Sequence, residues 1–546
     1  MTLRARPWRL LRLCFAVLAG GWLLYLIAVN VVIRTRLLRN LISEDPGAMR
    51  VDYASAYSLV PGRIHVEGLR IRGRDSHVEW ILTLDRCDFR VAFADLLHRR
   101  FHADHVHGDG LSLRVRQREP SFTTEEAAAL PPVPGFSDPP LAGPPPPPLT
   151  DADYDLWSIW LEGVVADHVR EIWIDTLRYT GDVQVRGRWF FRPVRWLDVG
   201  PATVTAHTLT VSRGLHETWV EGAMGQVVVT VHPFDVRSVR GVDVVHQVSV
   251  AGDVRATAKV AAFADHALEG SPAHADAGTA ELQTHVAIDH GVLHPGTVAR
   301  LEPFAARGHA GGLALAATLA ARIRVDGEGV GHAALDAAAV HVAQGTFPRA
   351  HADHLAATLR ARDLDLVHPF SDARYTLDVR GMGADSLRYW SALAPLGARL
   401  AIDSGAVAID GHLEGSIPGR DLSGSADVRV IALHAGDDGT RAGGDLAATL
   451  RVSASLRDHR YDLSGSELEL DDLAADLHGL RLSAPRLRAR APRLVIAEAG
   501  VLGRVTLDLP SVAIPSVAPV GAVIGLPCGI VIQGGRAAGD ARGVVD

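Results

Sequence analysis

From Ile64 onward the chain alternates apolar and polar residues with a period of two. Ile64 and Val66 alternate with His65 and Glu67, then Leu69 and Ile71 with Arg70 and Arg72. Gly68 stands where the apolar set moves from even to odd positions, as a bulge would move it. Similar runs follow at Val78, Trp80, Leu82 and Leu84, at Leu111, Leu113 and Val115, and at Ile172 and Ile174. They continue through Val183 and Val185, Val227–Val231, Leu377 and Val379, Leu400–Ile402, Val407 and Ile409, and Leu468–Leu470, with glycine-bearing turns between them. This is the pattern of strands with one apolar and one charged face, and roughly thirty are expected at this turn spacing. The fold class is therefore mainly β and antiparallel, with a few short helices.

One stretch near the N-terminus has no such period. Leu13 to Ile33 contains no formal charge and a single amide, Asn30, and Trp22 and Tyr25 lie within it. A helix of that length, at about 1.5 Å per residue, covers the ~30 Å hydrocarbon core of a bilayer. It exceeds the apolar region of about 7–15 residues usual in a cleaved signal peptide. No small-residue cleavage site follows it, so residues 1–36 are expected to be a cytoplasmic tip and an uncleaved anchor bounded by Leu13 and Ile33. Arg4, Arg6, Arg9 and Arg12 precede the run and Arg34, Arg36 and Arg39 follow it. Together with the α-amino group, the N-terminal flank is the more positive and is expected in the cytoplasm.

Residues 37–118 form a first β segment after a juxtamembrane stretch, partly helical through Leu37, Leu38 and Leu41. Residues 119–150 are proline-rich, and Pro144 to Pro148 suit polyproline II in a solvated loop. From Asp151 to Val169 the spacing of Leu156, Ile159, Trp160, Val164 and Val165 predicts an amphipathic helix capped by Asp151 or Asp153. Asp151, Asp153, Asp155 and Glu162 have the spacing of a calcium loop, but Leu156 stands where its turn requires glycine. The rest, to residue 546, is expected to be repeated β segments. A repeat joins Pro395, Gly397 and a hairpin at Ser404-Gly405 with Pro527, Gly529 and a hairpin at Gly534-Gly535. A looser copy runs from Pro295-Gly296 through Gly311-Gly312. The chain stops at Asp546 just past the last hairpin, as a piece of a longer protein would.

Composition removes several functions. The formal charge is −8, without a basic cluster, so no nucleic-acid partner is expected. Basic charge is almost all arginine, Lys259 being the only lysine, which reflects genome composition more than function. Three cysteines, Cys14, Cys87 and Cys528, make no disulfide framework. There is no phosphate-cradling glycine loop, zinc-protease motif or nucleophile elbow, so no enzyme, cofactor or metal is expected. His98, His102, His105 and His107 are the best metal candidates, and on a chain with 26 histidines they read as a solvated strand face. Asp471 and Asp472 read as turn residues rather than as an acid–base pair.

The segments YSLVPGRIHVEGLRIRG and DLLHRRFHADHVHGDGLSLRVR, after a single span, resemble the AsmA-like, TamB- and YhdP-type envelope proteins of Gram-negative bacteria. VREIWIDTLRYTGDVQVRGRWFFRPVRWLDVGPATV is similar in style. The resemblance covers most of the chain after residue 50, by pattern more than by identities. It implies an elongated, curved β-groove holding phospholipid or other acyl lipid, anchored in the inner membrane with its ectodomain in the periplasm. Transport between inner and outer membranes, with an outer-membrane or periplasmic protein partner, is its implied role. An envelope assembly or secretion scaffold is the alternative. Ile64, Val66, Val183, Val185, Leu377, Val379, Val407 and Ile409 are the expected lipid-facing residues. Glu67, Gln184, Asp378 and Asp410 are then expected to face water.

Overall fold

The computed structural model describes residues 6–35, 49–74, 77–118, 122–136, 139–141, 158–192, 196–235, 238–239, 241–368, 370–391, 401–436, 439–497, 500–520 and 535–545. Among the described residues, twenty-eight strands and a few short helices follow one long helix, Arg6–Arg34. The protein is mainly β, as the period-two pattern requires. The strands fall into two compact units.

The first unit comprises Met1–Lys259, Glu281–Ala299 and Asp365–Val367. Most of its described strand pairs are antiparallel and two are parallel, Arg100–Asp109 with Ser158–Asp167 and Ser112–Gln117 with Glu171–Ile174. Parallel pairing needs a long crossover, which the segment after Gln117 provides. Gly68 adopts φ +62°, and Val66 on one side of it and Leu69 on the other pack into the same core. The facing strand Val78–Val91 makes the same change between Leu84 and Cys87, so the odd-even switch legible at Gly68 is shared by its partner.

The helix expected over Asp151 to Val169 is a strand where it is described, Ser158–Asp167. A register shift between Leu161 and Val164, with Gly163 at φ +57°, explains the misreading. The bulge separates two apolar groups, 159–161 and 164–166, and so imitates helical spacing, while β-branched Ile159, Val164 and Val165 favour the strand. Asp151, Asp153 and Asp155 lie outside the described residues, as do Pro144 to Pro148.

The second unit comprises Val260–Ala280, Arg300–Leu364 and His368–Asp546. From Leu313–Val325 onward it is an up-and-down succession of long antiparallel strands. The turn at Gly311-Gly312 needs positive φ at both residues, +55° and +83°, which only glycine adopts without strain. Ser404-Gly405 is not a hairpin: strand Ala401–Ser416 runs through it with two register shifts. Asp471 and Asp472 likewise lie inside strand Ser466–Leu477, not in a turn. The repeat's Pro395, Gly397, Pro527, Gly529 and Gly534 fall outside the described residues.

A capped bulge recurs along these strands. At Gly381 (φ +57°), Ala432 (φ +53°) and Ser511 (φ +55°) the register shifts while the strand continues. In each case a neighbouring-strand aspartate accepts the freed N–H. Gly381 N donates to Asp410 Oδ1 at 2.8 Å, Ala432 N to Asp445 Oδ1 at 2.8 Å, and Ser511 N to Asp540 Oδ1 at 2.9 Å. A bulge leaves one amide outside the ladder, and the carboxylate supplies the acceptor that the ladder does not.

Candidate functional site: an apolar strand face

Residues directly opposite in an antiparallel pair project on the same face, so the register traces each face across many strands. In the second unit one row runs Val407, Val430, Leu446, Leu470 and Leu487. The next runs Ile409, Val428, Ala448, Leu468, Ala489 and Leu507. Leu377 faces Ala357 and Leu413, and Val379 faces Leu355 and Gly411. The four expected residues of this unit therefore lie on one apolar face, where all four are half-buried.

The opposite face is charged. Asp378, Asp410 and His412 project there, and Glu467, Glu469 and Asp471 sit directly opposite Arg490, Arg488 and Arg486. Asp410 is exposed as expected, with the further task of capping the Gly381 bulge. Asp378 is half-buried because His412 Nδ1 lies 2.7 Å from its carboxylate.

The apolar face is thinly covered. Leu335, in the row of Leu377, is 46% exposed, and Leu450, in the row of Val379, is 40% exposed. Trp173 of the first unit is the one large side chain among the described residues with no exposed surface. A sandwich would place several such side chains between two sheets.

In the first unit Ile64 and Val66 sit opposite Phe89 and Cys87. Val66 is buried in a cluster with Ala56, Cys87, Ala103, Val106 and, from the helix, Ile33, and Val29 of the helix packs against it. Burial pushes the Cys87 thiol up to about 12, with Asp88 adding to it. Val183 and Val185 sit opposite Ala206 and Val204 and pack with Ala166 and Val169. Glu67 is exposed, and Gln184 is half-buried beside Asp167, to which its amide donates.

The helix itself is long and apolar over Arg12–Arg34. Its 23 residues extend about 34 Å, enough to cross a bilayer. Phe15 and Leu18 are each 72% exposed, whereas the C-terminal end docks on the strands. Trp22 Nε1 donates to Leu59 O at 3.2 Å, and the Tyr25 hydroxyl lies 2.6 Å from Ser58 Oγ. Tyr53 donates its hydroxyl to the carbonyl of Ile33.

The four expected histidines are not brought together. His98 approaches Ala94 O, His102 approaches Asp95 at 2.9 Å, His105 approaches Asp104, and His107 approaches Asp167. The group of metal-ligating type among the described residues is instead His232, Asp289 and His290. Asp289 accepts from Ser249 at 2.6 Å, and His290 Nδ1 lies 3.0 Å from the same oxygen. Ser249 first, then His290 and His294, hold the Asp289 carboxyl below its ordinary range, burial opposing them. The two imidazoles stack at 4.0 Å, so their in-plane lone pairs run side by side rather than converging on one ion. Sequence reading could not assemble this group, because only strand pairing brings His232 to the Asp289–Gly291 turn.

Beyond this geometry, comparison adds no family: no protein-family model and no curated protein matches the chain.

Proposed function

We propose that the chain is a single-pass membrane protein whose apolar strand faces shield the acyl chains of lipids. The observation that carries this reading is the position of Ile33. The last apolar residue of the helix is buried in one cluster with Val66, with Ile64 packed against them. A helix long enough to cross a bilayer thus docks directly on the apolar side of the first strands, which sets that side of the strands at the end of the helix. In the second unit the open face supplies the same chemistry, with exposed Leu335 and Leu450 among half-buried neighbours. Burying a methylene is worth about 0.8 kcal/mol, so a sixteen-carbon chain gains on the order of 12 kcal/mol before ordering costs. Binding of that size requires no catalytic residue.

In this reading, which the AsmA-like resemblance supports, the helix is anchored in the inner membrane of a Gram-negative cell, the strands stand in the periplasm and phospholipid passes toward the outer membrane. The arginine excess before the helix supports that orientation.

The test is quantitative mass spectrometry of lipid bound per chain, comparing wild type with Val407→Asp/Ile409→Asp. Lipid around the helix is common to both, so a deficit in the variant reports the strand face. Equal lipid in both would leave an envelope scaffold as the better reading.

A further inference from the structure

The second unit carries a depression of about 1060 Å³ that opens on its charged face. Arg322, Arg324, Arg360 and Arg374 line it, and register places them together. Arg324 is opposite His332, His332 opposite Arg360, and Arg360 opposite Arg374. At about 4.8 Å between strands, Arg360 and Arg374 are immediate neighbours and Arg324 lies about 10 Å from Arg360.

Farther along this face three arginines are matched across strands. Arg486 reaches Asp471 at 2.7 Å, Arg488 reaches Glu469 at 3.5 Å, and Arg490 reaches Glu467 at 3.5 Å. The four arginines of the depression are exposed, and among the described residues none makes an ion pair or a side-chain hydrogen bond. Glu414 and Asp421 also line it, but Asp421 accepts from the Ser416 amide and Glu414 from Ser423. His332 is engaged by Asp326 at 3.0 Å. Like charges directly opposite destabilise a sheet, so the Arg360–Arg374 pair works against folding unless an anion joins it. The planar guanidinium fork matches phosphate oxygens two at a time, and the hydroxyls of Thr358 and Thr376 stand in the same depression.

We propose that this depression binds a phosphate-bearing ligand, its anionic oxygens held between Arg360–Arg374 and Arg322–Arg324. This site is separate from the apolar face and does not depend on lipid shielding there. The phosphate can belong to a lipid headgroup or to a soluble diphosphate, and one experiment separates the two.

Full chain in detergent is titrated with inorganic pyrophosphate by calorimetry, and its sedimentation with phosphatidylglycerol vesicles is compared with that on phosphatidylcholine vesicles. The variants are Arg360→Gln/Arg374→Gln and, independently, Arg322→Gln/Arg324→Gln, with carboxylate-matched Arg490→Gln as control. Pyrophosphate binding that falls at least tenfold in both double variants, but not in the control, supports the site with a soluble ligand. Loss confined to the phosphatidylglycerol excess supports it with a headgroup. Binding that is absent from both arms, or equal in wild type and double variants, overturns it. Melting of each variant checks the fold, and removing the like-charge pair is expected to leave it intact or raise its midpoint.

Discussion

The carboxamide of Asn30 and the backbone of Ser58 exchange two hydrogen bonds, Asn30 Nδ2 to Ser58 O at 2.8 Å and Ser58 N to Asn30 Oδ1 at 2.9 Å. The single amide in the apolar helix is therefore a docking group that ties the helix to the strands. Asn30→Leu leaves both backbone groups of Ser58 without these partners, at a cost of about 1–3 kcal/mol each where water does not replace them. The expected result is looser docking, read as a lower melting midpoint and faster alkylation of Cys87 in the same cluster. Unchanged alkylation would show that Asn30 does not hold the helix.

Cys87 provides a second test. Its thiol is buried and pushed up to about 12, so almost no thiolate exists at neutral pH. Native chain should leave Cys87 unmodified by iodoacetamide while denaturant exposes it, as peptide mapping would show. Rapid native labelling would contradict its place in the core.

Two carboxyls in the first unit have opposite pH signatures. Burial would raise Glu171, but bonds from Arg114 and Trp173 and the charges of Arg114 and Arg178 outweigh it and hold it below 4.5. Its contribution is complete above about 4.5 and is lost as pH falls through the lower folded value. Asp175 is raised above 3.8 by burial, against the Gln117 amide and Arg116. Its ionisation therefore opposes folding as pH rises through that raised value. Asp175→Asn should raise the melting midpoint at pH 7 and lose that advantage as pH falls below about 3.8. A lower midpoint at pH 7 would contradict the burial argument.

The bulges carry a stability signature of their own. Ala432 holds φ +53°, where a residue with a Cβ is strained by about 1–2 kcal/mol relative to glycine. Ala432→Gly should therefore stabilise the second unit, whereas Asp445→Ala, which removes the acceptor of the Ala432 amide, should destabilise it by about 1 kcal/mol. Chemical denaturation measures both, and the same sign for the two would refute the capped bulge.

Sequence periodicity made the faces legible but not the partners. Ile64, Val66, Val407 and Ile409 could be assigned a face because alternation survives any strand order. Asp410 could be placed toward water, yet its bond to Gly381 depends on a bulge in another strand. The Ser158–Asp167 strand was hidden for the same reason: its bulge at Gly163 breaks the period by which strands are recognised. Neither the arginine row nor the His232–Asp289–His290 group has a local signal, since each is assembled by long-range register.

Placing a carboxylate on the apolar face separates an open face from a sealed core. In a sealed core Val407→Asp costs several kcal/mol and unfolds the unit, whereas on an open face the charge stays hydrated. The melting midpoint is expected to fall only modestly, with Ala408→Asp on the charged face as control, where Arg429 is directly opposite. Asp410 is unsuitable as that control because it caps Gly381. Complete unfolding of Val407→Asp would indicate a covered core.

The most direct measurement is photo-crosslinking in cells, with a photoreactive phenylalanine analogue placed at one position at a time. Leu335, Leu377, Val407 and Ile409 are expected to give lipid adducts by mass spectrometry, while Ala408 and Asp378 on the opposite face give none. Absence of lipid adducts at all four apolar positions, or equal yields on both faces, would contradict lipid shielding by this surface.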